Sequence, residues 1–119
     1  MQPIPSQILK DSIVIKKPTG EDAWNNATYE TLNQSRVHIQ GANRIMKNKD
    51  NSEVQLSSTL FVDKRLSTPF IDWAALQIAA EQTGHEIMVE AHGHEYAVLK
   101  VDDVPDPHGM LHHYEIGLI

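Results

Sequence analysis

The stretch Val54-Gln55-Leu56-Ser57-Ser58-Thr59-Leu60-Phe61-Val62-Asp63 decides the fold class. Val54, Leu56, Ser58, Leu60 and Val62 fall on one side of an extended chain, and Gln55, Ser57, Thr59 and Phe61 fall on the other. That period of two predicts one β-strand over residues 54–63, the clearest strand in the sequence. Upstream, residues 36–40 repeat the pattern, with Val37 and Ile39 on one face, Arg36, His38 and Gln40 on the other, and Gly41 as the stop. Further upstream, residues 12–17 form a β-branched run that ends in Lys17-Pro18-Thr19-Gly20, which reads as a strand entering a turn.

Two polar stretches separate these strands. Residues 21–34 carry only Trp24, Tyr29 and Leu32 as isolated apolar anchors and are expected to form a loop. Residues 41–53 are rich in Asn and Lys, with Ile45 and Met46 as their only sizeable apolar side chains. Such a segment cannot bury enough surface to fix its own conformation, so a mobile loop or a loosely held hairpin tip is expected at 41–53.

Downstream, one helix is expected near 70–83. Pro69 suits a first helical turn, Asp72 complements the N-terminal dipole, and Gly84 stands where a left-handed C-cap belongs. Its predicted apolar stripe is Ile71, Ala74, Ala75, Ile78 and Ala79, widened by Trp73 and Leu76. Residues 86–91 and 96–102 then flank a turn, His92-Gly93-His94-Glu95. Residues 104–109 form a further loop, and 110–119 are extended to the end, which predicts a paired terminal strand. The sum is a mainly β chain with one helix (α+β): about six strands in a small antiparallel β-barrel or sandwich, the helix covering an open end or face.

Composition narrows the chemistry. The 119 residues, 40% of them apolar, suit one domain over 1–119. The absence of cysteine removes thiolate catalysis, iron–sulfur clusters and the usual structural zinc sites. The longest apolar runs are four residues, such as Trp73-Ala74-Ala75-Leu76, too short to cross a bilayer as a helix. No basic segment followed by an apolar one opens the chain, so no secretory signal is expected, and the sequons at Asn26 and Asn33 carry no weight. A formal charge of −6 argues against wrapping DNA, which needs clustered Lys and Arg.

No catalytic, cofactor or metal residue is assigned. His92, His94, His108, His112 and His113 crowd the C-terminal third, but His112 and His113 are neighbours on a strand and are expected to point to opposite faces. His92-Gly93-His94 begins like a cupin metal motif, yet Val98 and Leu99 stand where its glutamate belongs. Ser67-Thr68-Pro69 suits helix capping, Asp102-Asp103 suits a solvated strand end, and the glycines are too scattered for a phosphate loop. The competing reading is a small metal- or ligand-binding β-barrel that uses the histidine-containing turns. A third is a monomeric adaptor module with a single host partner. The basic residues Arg44, Lys47 and Lys49 share the 41–53 segment with Asp50 and Glu53, and gain weight only if many copies converge on one axis.

The order of short motifs nearly end to end resembles the minor capsid proteins of tailed phages and prophages. The residues that carry it are Ser12-Ile13-Val14-Ile15, Gly20-Glu21-Asp22-Ala23-Trp24, Val37-His38-Ile39, Phe61-Val62-Asp63, Ser67-Thr68-Pro69-Phe70, the run Glu95-Tyr96-Ala97-Val98-Leu99-Lys100-Val101, and His112-His113-Tyr114-Glu115-Ile116. The resemblance implies a non-enzymatic head-completion or stopper protein of a siphophage head–tail connector. It would be a β-barrel subunit of a homo-oligomeric ring, with the portal or adaptor ring above and the tail or tail-terminator ring below. It also implies assembly in the bacterial cytoplasm, a place at the virion neck, no membrane, and passing non-specific contact with genomic DNA. On that reading Arg44, Lys47 and Lys49 are the expected DNA-channel residues, and Trp24 and Tyr114 the expected packing or subunit-contact anchors.

Overall fold

A computed structural model describes residues 9–41, 45–47 and 50–119. Eight strands and one helix follow in the order β1 (Asp11–Glu21), β2 (Ala27–Gly41), β3 (Ile45–Lys47), β4 (Glu53–Gln55), β5 (Ser58–Asp63), α1 (Trp73–Thr83), β6 (Met88–Ala91), β7 (His94–Pro105) and β8 (Leu111–Leu118). Six of the strands close an antiparallel barrel in the order β1-β2-β5-β8-β7-β6, with β6 returning to β1 through Val14↔Glu90, Ile15↔Val89 and Lys16↔Met88. Closure leaves no edge strand where the wall is complete. The remaining pair, β3 and β4, makes its own small sheet.

The barrel interior follows from alternation. Ile13 and Ile15, Val37, Leu60 and Val62, Val89 and Ala91, Val98, and Tyr114, Ile116 and Leu118 are the inward residues, all buried in one apolar cluster. The helix completes that cluster with Trp73, Leu76 and Ala80, a stripe at i, i+3 and i+7. The helix begins at Trp73, so Pro69 and Ser67-Thr68 lie before it and not in its first turn or cap: Asp72 caps its start by accepting from the Ala75 N–H at 3.0 Å, and Gly84 ends it at φ 77°, where a side chain would be strained.

Several expectations need correcting. The expected single strand over 54–63 is two strands: the chain breaks at Leu56-Ser57, where Leu56 is buried and the Ser57 N–H donates to the Leu118 carbonyl at 2.9 Å. The expected loop over 21–34 is mostly strand. β1 runs through Pro18 to Glu21, β2 begins at Ala27, and the turn between them is 22–26. Pro18 is accommodated because the register slips between Pro18 and Gly20, and β6 pairs with β1 only as far as Lys16. The expected helix stripe is turned: Ala75 and Ile78 face solvent, and the large side chains of Trp73 and Leu76 set the buried face instead. The turn after β6 is tighter than expected, with Ala91 opposite His94 and both His92 (φ 52°) and Gly93 (φ 77°) at positive φ, the backbone of a two-residue hairpin turn. Of the 41–53 segment, the described parts form the β3–β4 hairpin, paired Ile45↔Gln55 and Lys47↔Glu53.

Candidate functional site

Two projections leave the barrel wall. The first is the β1–β2 hairpin beyond Lys16, where the strands pair with each other but with no third strand. Asp22 builds its tip: one carboxylate oxygen accepts from the N–H groups of Trp24 at 2.8 Å and Asn26 at 2.9 Å, and the Asp22 N–H donates to the Asn26 carbonyl at 2.9 Å. Asn25 takes the positive φ of 63° that this turn needs. The result is a locked turn that presents Trp24 81% exposed, with Tyr29 also exposed further down the arm. An indole so exposed is not packed within its own subunit, and its apolar area is left for another surface.

The second projection is the β3–β4 hairpin, which carries Lys47 exposed and opposite Glu53. Arg44 and Lys49 lie outside the described residues. Beside this hairpin, a cavity of about 770 Å³ is walled by Lys47, Gln77, Glu81, His85, Val98 and Lys100, among others. Two sides belong to the end of α1 and to β7. His85 is held by Glu21 at 2.9 Å, which ties the arm to the helix end.

Tyr114 sits in the opposite environment to Trp24. It is buried, and its hydroxyl reaches Asp72 at 3.4 Å. Burial, reinforced by the charges of Asp72 and Asp103, pushes its phenol up to about 12. Close by, Gln34 links β2 to the helix: its Oε1 accepts from Trp73 Nε1 at 3.0 Å and its Nε2 donates to the Pro69 carbonyl at 3.0 Å. Gln34 is a fully buried amide that sequence reading placed in a loop; its partner Trp73 lies 39 residues away in the chain, so no local pattern marks the pair, although a buried indole N–H needs an acceptor.

The histidines pair with carboxylates and rings rather than converge. His92 Nε2 lies 3.0 Å from Asp11 Oδ1, and His38 Nδ1 3.9 Å from Asp11 Oδ2. On the outer wall His38 stacks on Phe61 with centroids 5.8 Å apart, and Phe61 in turn meets His113 at 6.4 Å. His112 and His113 do not diverge as expected. Their Nδ1 atoms are 2.7 Å apart, at the start of β8 where the register with β7 slips between Val104 and Pro105, an irregularity that breaks the strict alternation of faces. At that distance one ring donates and the other accepts, so one proton lies between them. Burial lowers the pKa of His113, His112 adds to the effect, and Glu115, 3.5 Å from its Nε2, opposes it. Among the described residues, no group of three or more His, Asp or Glu side chains is placed to hold a metal ion, and no helix is long and apolar enough to cross a membrane.

The described residues thus form a closed six-stranded barrel with a locked aromatic tip and a separate small hairpin. The sequence model of the family described as minor capsid protein matches residues 5–118, and the chain belongs to that family. It is therefore a structural virion protein of a phage. No curated protein matches the chain.

Proposed function

We propose that this minor capsid protein is a head-completion, or stopper, subunit. Copies form a ring between the portal or adaptor above and the tail or tail-terminator below, and the ring lines the DNA path at the neck. The observation that carries this reading is the pairing of a self-contained barrel with two outward projections, on a chain of the minor capsid family. The barrel satisfies its own core and hydrogen bonds, so the arm with Trp24 is available for a neighbouring copy. A ring of heterologous contacts joins one surface of a subunit to a different surface of the next, and a protruding arm supplies one such surface. The β3–β4 hairpin with Lys47, together with Arg44 and Lys49 from the same segment, reaches into the lumen and contacts DNA weakly and without sequence preference. The net charge of −6 suits a channel through which DNA slides without sticking. The role is mechanical, with no catalytic step, and assembly takes place in the bacterial cytoplasm.

The test is a phage in which the gene is interrupted. Filled heads that lose their DNA and fail to join finished tails are expected, and the chain should be located at the head–tail junction of wild-type virions by electron cryomicroscopy. Normal joining of heads to tails without the chain, or its location in the shell of the head, would overturn the proposal.

A further inference from the structure

The described cations divide into two groups. Lys16 is held by Glu95 at 2.6 Å and Glu90 at 3.8 Å, and Lys100 by Asp102 at 3.3 Å. The other described cations, Lys10, Lys17, Lys47, Arg36, Lys64 and Arg65, form no ion pair with another described residue, and of these Arg36, Lys64 and Arg65, all exposed, share one end of the barrel. They come from separate parts of the sequence, β2 and the β5–α1 connection, and one knot of hydrogen bonds gathers them. Asp63 Oδ1 accepts from the N–H groups of Arg65 at 2.8 Å and Leu66 at 2.9 Å. Ser67 Oγ accepts from the Asp63 N–H at 2.9 Å and donates to the Arg36 carbonyl at 2.6 Å. The Lys64 N–H donates to the His112 carbonyl at 3.2 Å.

Arg36 is placed with particular care. Asp11 faces Val37 and Ser12 faces Ser35, so Arg36 is the extra residue of a bulge, and its φ of 60° lies in a region that most side chains avoid. The paired hydrogen bonds between Ser35 and Thr68, at 2.7 and 3.0 Å, hold that bulge from the other side. Bulges re-aim side chains, and a conformation this costly persists only where the surroundings enforce it. Next to the knot, a cavity of about 390 Å³ is lined by Lys64, Arg65 and His112 together with Asp106, whose carboxylate accepts from the N–H groups of His108 and Met110.

We infer that Arg36, Lys64 and Arg65 form a phosphate-contacting surface for the backbone of double-stranded DNA, distinct from the β3–β4 hairpin. The inference rests on the head-closure reading for the presence of a duplex. Three cations without counter-ions, fixed through their backbones on a rigid barrel end, match a ligand that offers a row of equivalent anions and asks for no shape-specific pocket. The two guanidinium groups supply planar forks suited to phosphate oxygens.

The test is a titration of the isotopically labelled full chain with a short DNA duplex of mixed sequence, followed by amide chemical shifts. Shifts are expected at residues 36, 64–66 and 112. Affinity should fall about 40-fold between about 50 and about 200 mM salt, the consequence of releasing ions from about three phosphates. The triple variant Arg36→Glu, Lys64→Glu, Arg65→Glu should abolish those shifts, and Lys47→Glu should leave them in place. Should the bulge variant fail to fold, Lys64→Gln with Arg65→Gln, both at exposed loop positions, should still flatten the salt dependence by about two powers of concentration. Absence of shifts at these residues at low salt, or shifts indifferent to charge reversal, would overturn the inference. So would a surface that ignores DNA but whose reversal blocks docking onto the portal or adaptor ring, since the ligand would then be an acidic protein. The two readings fail separately: a chain at the neck whose barrel end ignores DNA sinks only this one, and a chain absent from the neck sinks the head-closure reading whatever its barrel end binds.

Discussion

β5 and the outer half of the β1–β2 hairpin are both antiparallel strands of the same chain, and they are built on opposite terms. β5 is paired on both sides, by β2 and β8, and five of its six residues are buried. The arm beyond Lys16 pairs only with itself, is exposed over most of its length and ends in an indole at the surface. What β5 contributes is returned within the subunit as burial. Within the subunit the arm adds its own hydrogen bonds, the buried Pro18 at its base and the contact of Glu21 with His85, and its outer half and tip are left at the surface. The comparison therefore predicts a sharp split: damage to the wall should cost stability, and damage to the arm should cost assembly.

The largest expected effect is removal of residues 116–119. Ile116 and Leu118 are fully buried, β8 is paired with both β5 and β7, and the Ile119 N–H donates to the Ala97 carbonyl at 3.0 Å. Losing two core side chains at about 2 to 5 kcal/mol each and opening the barrel should exhaust a stability of about 5 to 15 kcal/mol. No cooperative thermal transition is expected. A truncated chain that melts like the parent would show that the wall does not need this strand.

Next comes Trp73→Ala, which empties the centre of the helix–barrel contact and leaves the Gln34 amide without its donor. A loss of about 3 to 5 kcal/mol is expected from urea unfolding. Trp73→Phe should retain most of the packing and cost about 1 to 3 kcal/mol, mainly through the unsatisfied Gln34 oxygen. Equal losses for the two variants would mean that the hydrogen bond, and not the ring, holds the helix.

These variants also mark what the sequence could disclose. Leu60, Val62, Ile116 and Leu118 alternate because every second side chain points into the barrel, so the barrel wall was legible. Gly84 likewise announced the end of the helix, because orphaned carbonyls favour a left-handed cap, whereas the start falls later than the sequence suggests: Pro69 and Asp72 suit a first turn, and Asp72 is instead the N-cap of a helix that begins at Trp73. The outer arm was not legible: Thr28, Glu30 and Thr31 lie on a strand wetted on both faces, so no period of two exists to be read. The helix face was misjudged because five small or medium side chains outnumber Trp73 and Leu76, although burial follows area and not number. Of the candidate site, Trp24 and Lys47 were visible as residue types, but the gathering of Arg36 with Lys64 and Arg65 depends on a bulge and on Asp63, which no local pattern encodes.

A smaller effect is expected from pH. His113 has its pKa lowered, chiefly by burial, so its neutral form is favoured in the folded chain. Below the ordinary histidine pKa of about 6.5 the unfolded chain takes up this proton before the folded one does, so stability should decline as pH falls through that value toward the lowered pKa and then level off. His113→Gln should flatten this part of the profile, measured by urea midpoints across weakly acidic pH. An unchanged slope in the variant would assign the dependence to groups other than His113.

The smallest effect on the subunit, and the most informative, is expected from Trp24→Ala. The indole is 81% exposed, and the turn beneath it is held by Asp22 through backbone N–H groups that the substitution does not touch. Removing a side chain that packs on nothing within the subunit should shift stability by no more than about 0.5 kcal/mol. Ring formation or virion yield should nevertheless fall, because an exposed aromatic on a rigid support is the type of residue that dominates a protein–protein contact, where truncation costs about 2 kcal/mol or more. Asp22→Ala serves as the complementary variant: it keeps the indole but loosens the turn that aims it, and should weaken assembly without restoring any burial. Melting curves set beside assembly assays for the two variants separate the arm from the wall. A large loss of stability in Trp24→Ala would mean that the indole is packed in solution, and the division between wall and arm would fall with it.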